Sequence, residues 1–450
     1  MSKLFGTDGI RGVANEYPIT PEMAVNIGRA VAVIFREDDK RSRVVIGKDT
    51  RISGDMLEYA LVSGICSMGV DAYLAGILPT PGVAFMTSST GANAGIVISA
   101  SHNPYYDNGI KVFKGDGFKL SDEKEAEIEE LVLNENTASL AKSVRAAGRV
   151  HKIADAGCSY VNFLKLTLPK SNYLKGLKIV IDCSNGATFE VAPEVFTELG
   201  AEVEALYINP DGKNINDNCG SQHPENLKKI VVEKGADIGL AFDGDGDRLI
   251  AIDEKGAVIT GDQILAVCAK FMKQKGLLKG NQVVSTVMSN MGLGIALAQM
   301  GIKHMIVKVG DRYVMEKMIA SRAVLGGEDS GHMIFLDYNT TGDGILTALR
   351  LIEAMKEESK PLSELCKIMM VFPQVLINVK VERKPDLNNI PPIKDAIKSV
   401  ETSLGQKGRV LVRYSGTQPI CRVMVEGLTI DETSKYCRHL ADIIKVNLGN

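Results

Sequence analysis

The sequence predicts an α/β protein in which three similar domains, with mixed and mainly parallel sheets, precede a smaller α+β domain. Two observations support this fold class. A β-branched run, polar turn residues and a helical stretch recur in three successive segments, and strands that alternate with helices favour parallel sheets covered by helices. The final segment breaks this pattern with a strand, a helix, two consecutive strands and a closing helix.

Each of the three segments contributes three predicted strands in the same order. Helical stretches separate the strands, such as the one over residues 56–68 that ends at Gly69. Repetition of one unit indicates a triplicated domain. Grouped by segment, the strands are 44–46, 71–74 and 95–98; 179–181, 201–204 and 237–242; and 283–284, 303–307 and 323–325.

The C-terminal segment and the breaks between patterns complete the domain division. In the last segment, apolar runs predict strands over 375–381, 409–413 and 420–425 and helices over 393–404 and 432–446. Linkers are expected near Gly148, Gly256 and Pro373. The predicted domains are residues 1–150, 151–254, 255–369 and 370–450.

Composition and charge exclude several classes of protein. An apolar content of 45% and a charged content of 24% are ordinary for a soluble globular protein. The net charge of −3 argues against binding of nucleic acid through a basic surface. No apolar run is long enough to span a bilayer, and residues 1–8 lack the apolar core of a signal peptide. The eight cysteines are scattered without zinc-binding spacing, so we expect reduced cysteines, a cytoplasmic location, and neither nucleic acid nor membrane as a partner.

A serine lies where the third strand of the first segment is expected to end. Residues 95–104 run from an apolar strand into Ser101, His102 and an Asn-Pro pair. Asn103 cannot easily stay helical before Pro104, so the backbone turns there. A hydroxyl held at a strand end beside a histidine is a typical place for a nucleophile. The alternative is a Ser/Asn turn that satisfies its own backbone.

Three aspartates alternate with glycine at the equivalent point of the second segment. Asp243, Asp245 and Asp247 would repel one another unless a cation lay among them, and oxygen ligands suit a hard ion such as Mg²⁺. An EF-hand calcium loop does not fit, because Arg248 replaces its turn glycine and residues 249–252 predict a strand. The alternative to a metal site is a polar Asp-Gly turn.

The third segment ends in residues 326–332, which include a glutamate, an aspartate, a serine and a histidine. In parallel α/β sheets, ligands bind beyond the carboxyl ends of the strands. Equivalent positions in three copies therefore predict that the three loops converge on one cleft. His332 is either a cleft histidine or a polar residue satisfied by its neighbours. Lys48 and Arg51 are expected to act as supporting charges rather than as catalysts.

Other stretches carry charges that suit an anion. Residues 413–419, with Arg422 beyond them, offer two guanidiniums, two hydroxyls and a glycine, a set that can hold a phosphate dianion or can simply form a turn between strands. Residues 6–12 are a glycine-rich turn, or a turn that brings Arg11 to an anion. Lys111 is either a surface lysine or a cleft lysine whose pKa is low enough for acid or base catalysis.

These loops, in their order along the chain, resemble the signature loops of the α-D-phosphohexomutase family. The resemblance covers essentially the whole chain and implies four domains around a central cleft, the first three of one topology. Two positions depart from the family pattern, since Asp329 stands where Gln or Asn is usual and Gln418 where Glu is usual. The resemblance is carried by residues 5–12, 98–104, 107–111, 242–248, 326–332 and 413–419, with support from residues 286–292, 308–313 and 340–344.

The resemblance also implies roles for the candidate residues. Ser101 would be the phosphoserine, and one Mg²⁺ per chain would be held by Ser101, Asp243, Asp245 and Asp247. The transferring phosphoryl group would be surrounded by Lys111, His102, Arg11 and Arg248. The sugar would be contacted by Glu328, Ser330 and His332. The non-reacting phosphate would be held by Arg413, Ser415, Gly416, Thr417 and Arg422.

The activity implied by the resemblance is the interconversion of glucosamine 6-phosphate and glucosamine 1-phosphate, which serves synthesis of UDP-N-acetylglucosamine, a cell-wall precursor. Glucosamine 1,6-bisphosphate would be the intermediate and activator, and the protein would be a monomer or a homodimer. Three alternatives stay open. They are a phosphomannomutase or phosphoglucomutase of the same family, a sugar-phosphate phosphatase that uses Asp243, and a non-catalytic phosphosugar-binding protein.

Overall fold

The computed structural model describes residues 4–6, 8–37, 41–133, 137–141, 144, 146–415 and 419–449. The chain forms two compact units. One comprises Met1–Val287 with Lys303–Lys367, and the other comprises Met288–Ile302 with Ile368–Asn450. Among the helices in the described stretches, none is both long enough and apolar enough to cross a membrane.

The first repeat forms a six-stranded sheet. Its elements are β1 (Ile10–Val13), α1 (Pro21–Phe35), β2 (Arg43–Lys48), α2 (Gly54–Ser67), β3 (Asp71–Ile77), α3 (Thr80–Ser89), β4 (Ala94–Ile98), β5 (Asp107–Lys114), α4 (Asp122–Leu133), α5 (Thr137–Ala141) and β6 (Val150–Lys152). The strand order is β1-β5-β4-β2-β3-β6. Strand β2 is parallel to β3 and β4, whereas β5 is antiparallel to β4 and β1.

The second repeat forms a five-stranded sheet. Its elements are α6 (Ala156–Leu166), β7 (Lys178–Asp182), α7 (Val191–Glu198), β8 (Glu202–Leu206), α8 (Glu225–Lys234), β9 (Ile238–Phe242), β10 (Leu249–Asp253) and β11 (Val258–Ile259). The strand order is β11-β10-β9-β7-β8. Strand β7 is parallel to β8 and β9, and β10 is antiparallel to β9.

The third repeat forms a four-stranded sheet. Its elements are α9 (Gly261–Gln274), β12 (Gln282–Thr286), α10 (Met291–Gln299), β13 (Lys303–Val307), α11 (Asp311–Ser321), β14 (Leu325–Gly327), β15 (Met333–Phe335), α12 (Gly344–Glu358) and α13 (Leu362–Leu365). The strand order is β13-β12-β14-β15. Strand β12 is parallel to β13 and β14, and β15 is antiparallel to β14.

The three sheets share one topology, which confirms the predicted triplication. In each, the first predicted strand is central and is parallel to the second and the third. A short loop then turns the chain back into an antiparallel strand, namely β5, β10 or β15. The polar loops after β4, β9 and β14 therefore occupy equivalent positions, at the carboxyl ends of strands buried in the sheets.

Contacts at the start of α12 tie the third repeat to the second. The Tyr160 hydroxyl on α6 donates to Asp343 Oδ2 at 2.8 Å, and the Asn339 amide donates to the same oxygen at 3.0 Å. Asp343 also caps α12 by accepting from the Leu346 N–H at 2.9 Å. The next residue, Gly344, donates its N–H to the Gly246 carbonyl at 3.0 Å. The aspartate loop after β9 is thus held from the third repeat.

The charge run on α4 is only partly a solvated face. Most of its acidic side chains are exposed, as expected for an exposed helix surface. Glu125 differs, because it is 7% exposed and pairs with Arg312 Nη1 at 2.9 Å. This ion pair links α4 of the first repeat to α11 of the third.

The second unit contains the predicted α+β domain. Its elements are β16 (Gln374–Lys380), α14 (Pro391–Leu404), β17 (Arg409–Tyr414), β18 (Ile420–Glu426) and α15 (Ile430–Leu448). The succession of strand, helix, two strands and helix is the one that the sequence predicts, and the three strands form an antiparallel sheet of order β16-β18-β17. Helix α10 belongs to the same unit, since Asn290 donates to the Phe372 carbonyl at 2.9 Å and the Met291 N–H donates to Glu426 Oε2 at 3.2 Å.

Candidate active site

Ser101 stands just beyond β4 and points its hydroxyl at the second repeat. Its Oγ donates to Asp243 Oδ2 at 2.6 Å, and the residue is fully buried. Its φ of +54° is the left-handed conformation, which is uncommon for a residue with a side chain and is frequent at functional sites. The Ser101 N–H donates to Ser99 Oγ at 2.9 Å. The Ser101 hydroxyl therefore donates to a carboxylate far away in the sequence. The loop is not a turn whose side chains bond only to its own backbone.

Arg51 holds the loop that carries Ser101. Its guanidinium pairs with Asp49 at 2.8 Å, and both side chains are fully buried. Asp49 also accepts from Ser99 Oγ at 2.6 Å. The remaining guanidinium donors bind four loop carbonyls, those of Ser101, Asn103, Pro104 and Asp107. Arg51 thus supports the loop, as expected, and so fixes the backbone on both sides of His102.

The three aspartates form a buried cluster that fits a cation. Each offers a carboxylate oxygen within 4.8 Å of the others. Both oxygens of Asp243 are engaged, one by Ser101 Oγ and one by the Arg248 N–H at 3.1 Å. By contrast, Asp245 Oδ1 and Asp247 Oδ1 are buried and accept no hydrogen bond from the described residues. Buried anionic oxygens without donors are costly, and a hard divalent cation satisfies such oxygens.

The three carboxylates of the cluster repel one another when no cation is bound. Burial, together with the carboxylates of Asp247 and Asp245, raises the pKa of Asp243 well above its usual value. Although burial also raises the pKa of Asp245, the Lys111 ammonium outweighs it and holds that pKa below the usual value. Like charges at this distance oppose joint ionisation, whereas a bound cation would favour it.

Lys111 lies on β5 beside the aspartate cluster. It is 2% exposed, so it is not a surface lysine. Its ammonium is 2.7 Å from Asp245, 3.3 Å from Asp247 and 3.0 Å from Asp8. Burial lowers the pKa of Lys111, but the three carboxylates outweigh burial and raise it well above its usual value. In the metal-free protein the alternative of a lowered pKa therefore does not hold, and Lys111 carries a positive charge at neutral pH.

Arg11, Arg248 and His102 lie around the same point. Arg11 pairs with Asp8, and Arg248 Nε is 3.7 Å from Asp247 Oδ1. The Nε atoms of both arginines are buried and make no hydrogen bond to a described residue. His102 Nδ1 lies 3.4 Å from Ser101 Oγ, and burial, Arg248 and Arg11 lower the pKa of His102 to about 4. The imidazole is therefore neutral at neutral pH.

The loop of the third repeat is joined to the aspartate loop through the backbone. Arg248 and His332 form an isolated β-bridge, and the Leu249 N–H donates to the Gly331 carbonyl at 3.1 Å. His332 Nε2 lies 3.8 Å from Asp247 Oδ2 and 3.6 Å from Asp311 Oδ2. Neither ring nitrogen makes a hydrogen bond to a described residue, so His332 is not a histidine satisfied by its neighbours.

The other two predicted sugar ligands lie in the same loop. Glu328 Oε1 accepts from the Gly310 N–H at 3.1 Å, and Ser330 Oγ is buried without a hydrogen bond to a described residue. Asp329, which departs from the family pattern, accepts from Gly261 at the start of α9 through its carbonyl at 3.0 Å. Its side chain accepts from the Asp262 N–H at 3.5 Å. Asp329 therefore accepts hydrogen bonds from the N-terminal residues of α9 through both its backbone and its side chain.

The structure adds four residues that sequence reasoning missed. Lys119 pairs with both Asp8 and Asp311, which links Lys111 to the third repeat through a chain of alternating charges. Thr80 donates its hydroxyl to Asp245 Oδ2 at 2.6 Å. Asp8 and Asp311 stand inside stretches quoted for the family resemblance, so the sequence carried a signal for them. Lys119 and Thr80 lie in no recognisable motif, and only the fold brings them to the aspartate cluster and its ion pairs.

In the second unit, two predicted phosphate ligands lie side by side. Arg413 of β17 is the register partner of Arg422 of β18. Burial and the neighbouring Arg422 lower the pKa of Arg413, and the Nε atoms of both make no hydrogen bond to a described residue. Ser415 follows β17, with its N–H bonded to the Ile420 carbonyl at 2.9 Å. The predicted ligands Gly416 and Thr417, and the variant position Gln418, lie outside the described residues.

Comparison with protein families matches all four parts of the chain to one family. The matches are to the phosphoglucomutase/phosphomannomutase alpha/beta/alpha domains I, II and III, over residues 2–139, 159–256 and 260–372, and to the C-terminal domain over residues 376–443. They occur in the order found in the family and cover most of the chain.

Similar proteins extend over the full length. A phosphoglucosamine mutase of Syntrophus aciditrophicus is 60% identical over 449 residues, and one of Syntrophobacter fumaroxidans is 59% identical, each covering 100% of both chains. A phosphoglucomutase/phosphomannomutase family protein from Burkholderia thailandensis has a similar structure, with 26% identity, a TM-score of 0.81, and coverage of 99% of this chain and 97% of that one.

A more distant structure shows the same fold. Aspergillus fumigatus N-acetylphosphoglucosamine mutase, solved with GlcNAc-6P and magnesium, is 17% identical, with a TM-score of 0.66 and coverage of 98% of this chain and 95% of that one. With all four domains matched in order and relatives that align from end to end, the chain belongs to the phosphoglucomutase/phosphomannomutase family of α-D-phosphohexomutases.

Proposed function

We propose that this protein is a phosphoglucosamine mutase, which interconverts glucosamine 6-phosphate and glucosamine 1-phosphate through a phosphorylated Ser101. The observation that carries the proposal is the buried hydrogen bond from Ser101 Oγ to Asp243, inside a cluster of three aspartates. The names of the full-length relatives support the choice of glucosamine phosphates as substrates. The reaction would supply glucosamine 1-phosphate for UDP-N-acetylglucosamine synthesis.

The aspartate cluster fits one Mg²⁺ ion. Asp245 and Asp247 each keep a buried oxygen without a donor, and Asp243 and Ser101 complete an all-oxygen set. When bound, Mg²⁺ would offset negative charge on the oxygens of the transferring phosphoryl group. Lys111 already compensates part of the negative charge, because it pairs with Asp245 and Asp247.

The chemistry consists of two phosphoryl transfers. In the first, the bond between phosphorus and Ser101 Oγ breaks, a bond from phosphorus to the free sugar oxygen forms, and the proton of the sugar hydroxyl takes the place of the phosphoryl group on Ser101 Oγ. In the second, glucosamine 1,6-bisphosphate is bound in the reversed orientation. The bond between its other phosphorus and the sugar oxygen breaks, a bond to Ser101 Oγ forms, and the serine proton passes to the sugar oxygen. Permanent positive charges at Lys111, Arg11 and Arg248 stabilise the phosphoryl oxygens in both steps.

The remaining candidates would bind the sugar and its second phosphate. We assign sugar contacts to Glu328, Ser330 and His332, of which Ser330 and His332 have buried polar atoms without hydrogen-bond partners among the described residues. The non-reacting phosphate is assigned to the C-terminal domain. Its ligands would be Arg413, Ser415, Gly416, Thr417 and Arg422.

The wider setting is also part of the proposal. We assign the residues 1–150, 151–254, 255–369 and 370–450 to four domains that bear the phosphoserine, metal, sugar and phosphate loops in that order. The protein would act as a monomer or a homodimer in the cytoplasm. All eight cysteines are free of disulfide bonds, and they would stay reduced in that compartment. Its partners would be small phosphosugars.

A coupled assay tests the function. Glucosamine 6-phosphate, Mg²⁺ and a catalytic amount of glucosamine 1,6-bisphosphate should give glucosamine 1-phosphate. The ratio of kcat/KM for glucosamine, glucose and mannose phosphates separates this enzyme from a phosphomannomutase or phosphoglucomutase. Release of inorganic phosphate without a bisphosphate requirement would identify a phosphatase, although both oxygens of Asp243 are already engaged by Ser101 and Arg248. Substrate binding without turnover would identify a non-catalytic protein.

A further inference from the structure

Thr80 joins the first repeat to the metal-site cluster of the second. Its Oγ1 donates to Asp245 Oδ2 at 2.6 Å, and its N–H donates to the Asp245 carbonyl at 2.9 Å. Thr80 is fully buried. One residue therefore binds both the side chain and the backbone of Asp245, although the two are 165 positions apart in the sequence.

The hydroxyl decides which oxygen of Asp245 is left for a cation. Lys111 Nζ also donates to Oδ2, at 2.7 Å, so that oxygen has two donors. Oδ1 has none among the described residues and is buried. With Oδ2 held by two donors, Oδ1 is the oxygen of Asp245 that remains for a cation shared with Asp243 and Asp247, which each offer a carboxylate oxygen within 4.8 Å. Without the hydroxyl, Lys111 alone would leave the carboxylate free to rotate.

The backbone around Asp245 also contacts the start of helix α3, where Thr80 lies. Thr80 is the first residue of α3, and its N–H, which has no acceptor within the helix, donates to the Asp245 carbonyl. The next loop residue, Gly246, has φ +69°, and a Cβ placed on it would come within 3.2 Å of the Pro79 side chain. The start of α3 therefore restrains the aspartate loop, in addition to the hydrogen bond from Gly344.

We propose that Thr80 is a positioning residue for the metal, which holds Asp245 so that Oδ1 can bind the cation. This rests on the proposed role of Asp245 as a metal ligand. Outer partners that orient metal ligands typically change metal affinity by 10- to 100-fold when removed. Thr80 touches neither the sugar nor the phosphoryl group in this account, so its effect should fall on metal affinity and not on the chemistry at saturating metal.

The test compares isosteric and conservative variants of the full chain. Thr80→Val removes the hydroxyl but keeps the side-chain volume and the backbone N–H. Thr80→Ser keeps the hydroxyl. Thr87→Val is the matched control, because Thr87 lies on the same helix, is fully buried, and donates its hydroxyl only to the Val83 carbonyl, at 2.7 Å. Mn²⁺ binding to the chelator-treated proteins is measured by calorimetry and by electron paramagnetic resonance.

The account predicts Mn²⁺ affinity roughly 10- to 100-fold weaker in Thr80→Val than in the unmodified chain. Thr80→Ser and Thr87→Val should bind Mn²⁺ nearly as the unmodified chain does. The Mg²⁺ concentration for half-maximal turnover should rise in Thr80→Val by the same factor, with little change of kcat at saturation. If Thr80→Val does not fold, Thr80→Ala lacks the same hydrogen bond and must show the same loss.

Two outcomes separate this inference from the proposed function. Equal Mn²⁺ affinity of the unmodified chain and the folded Thr80 variants would overturn the positioning role, whatever the enzyme does. A selective loss in Thr80→Val that Thr80→Ser restores, in a protein with no mutase turnover, would support the positioning role and refute the proposed function.

Discussion

Ser101 and Asp243, which are 142 positions apart, share a buried hydrogen bond of 2.6 Å. Ser101 follows β4 of the first repeat, and Asp243 follows β9, the equivalent strand of the second. The bond therefore joins equivalent loops of two copies of one topology. Because Asp243 belongs to the only cluster of this kind found among the described residues, the serine hydroxyl faces the one place there that suits a divalent cation.

Removal of Arg51 should destabilise the loop that carries Ser101. Arg51→Met leaves the buried Asp49 carboxylate unpaired and four loop carbonyls without their donor. Breaking a buried ion pair by removing one partner costs about 3–5 kcal/mol in free energy of unfolding. Equilibrium urea unfolding measures this change. Arg41→Met is the control, because Arg41 pairs with Asp71 but is 54% exposed, and its loss should cost under about 1 kcal/mol. Equal losses in both variants would contradict the role given to Arg51.

Lys111 should act through its charge and not as a titrating acid or base. Its three carboxylate neighbours raise its pKa, so it stays protonated below and above neutral pH. Lys111→Gln should lower kcat by about 10²- to 10³-fold, which is typical for loss of a group that stabilises transition-state charge. Steady-state kinetics measures this loss, and Lys114→Gln on the same strand, a half-buried lysine paired with Asp116, is the control. A basic limb below pH 9 that disappears in Lys111→Gln would show that Lys111 titrates and is not permanently charged.

His102 should stay neutral down to acid pH in the metal-free, dephosphorylated protein. Burial and the guanidiniums of Arg248 and Arg11 lower its pKa from 6.5 to about 4. The folded state then binds fewer protons than the unfolded state between these values, so the contribution of His102 to stability falls as the pH drops below 6.5. NMR titration of the histidines should show one midpoint near 4 that is missing in His102→Asn. A midpoint for His102 near 6.5 would contradict the proximity of the two arginines.

Arg413 should be favourable for phosphate binding and unfavourable for stability. It lies directly opposite Arg422 on the neighbouring strand, and like charges in that position destabilise a sheet. Arg413→Met should therefore raise the stability of the C-terminal unit by a few tenths of a kcal/mol, up to about 1 kcal/mol. KM should rise roughly 10- to 100-fold, because a charge-assisted contact to phosphate is lost.

Thermal melting and steady-state kinetics measure the two opposite effects of Arg413→Met. Arg409→Met is the contrast, since Arg409 pairs with the buried Glu426 and its removal should lower stability. An unchanged KM in Arg413→Met would remove Arg413 from the phosphate site.

The repeated strands were predictable because parallel central strands are buried on both faces and read as short β-branched runs, as Val44–Ile46 and Ile179–Ile181 do. Convergence of the three polar loops was predictable because equivalent strands end at the same edge of equivalent sheets. The contacts between Ser101 and Asp243 and between Arg248 and His332 show this convergence.

The other features of the site depend on contacts between residues far apart in the sequence, which local sequence patterns do not predict. Thr80 reaches Asp245 because α3 begins there, and Lys119 reaches Asp311 of the third repeat; neither residue lies in a motif. The direction of the pKa shift of Lys111 follows from the number of carboxylates around it, and the sequence does not give that number. Glu125 is buried because of Arg312, which is 187 positions away.

The central claim is that Ser101 carries the phosphoryl group that is transferred to the sugar. The most direct test is mass spectrometry of the intact protein and of its peptides, after incubation with glucosamine 1,6-bisphosphate and Mg²⁺ and again after excess glucosamine 6-phosphate with ¹⁸O in its phosphate is added. The account predicts one phosphoryl group on Ser101, which is replaced by the ¹⁸O-labelled phosphoryl group of the substrate, and none on Ser101→Ala. An unlabelled phosphoryl group that stays on Ser101 while the labelled sugar phosphate is present, or a phosphoryl group on Asp243, would contradict it.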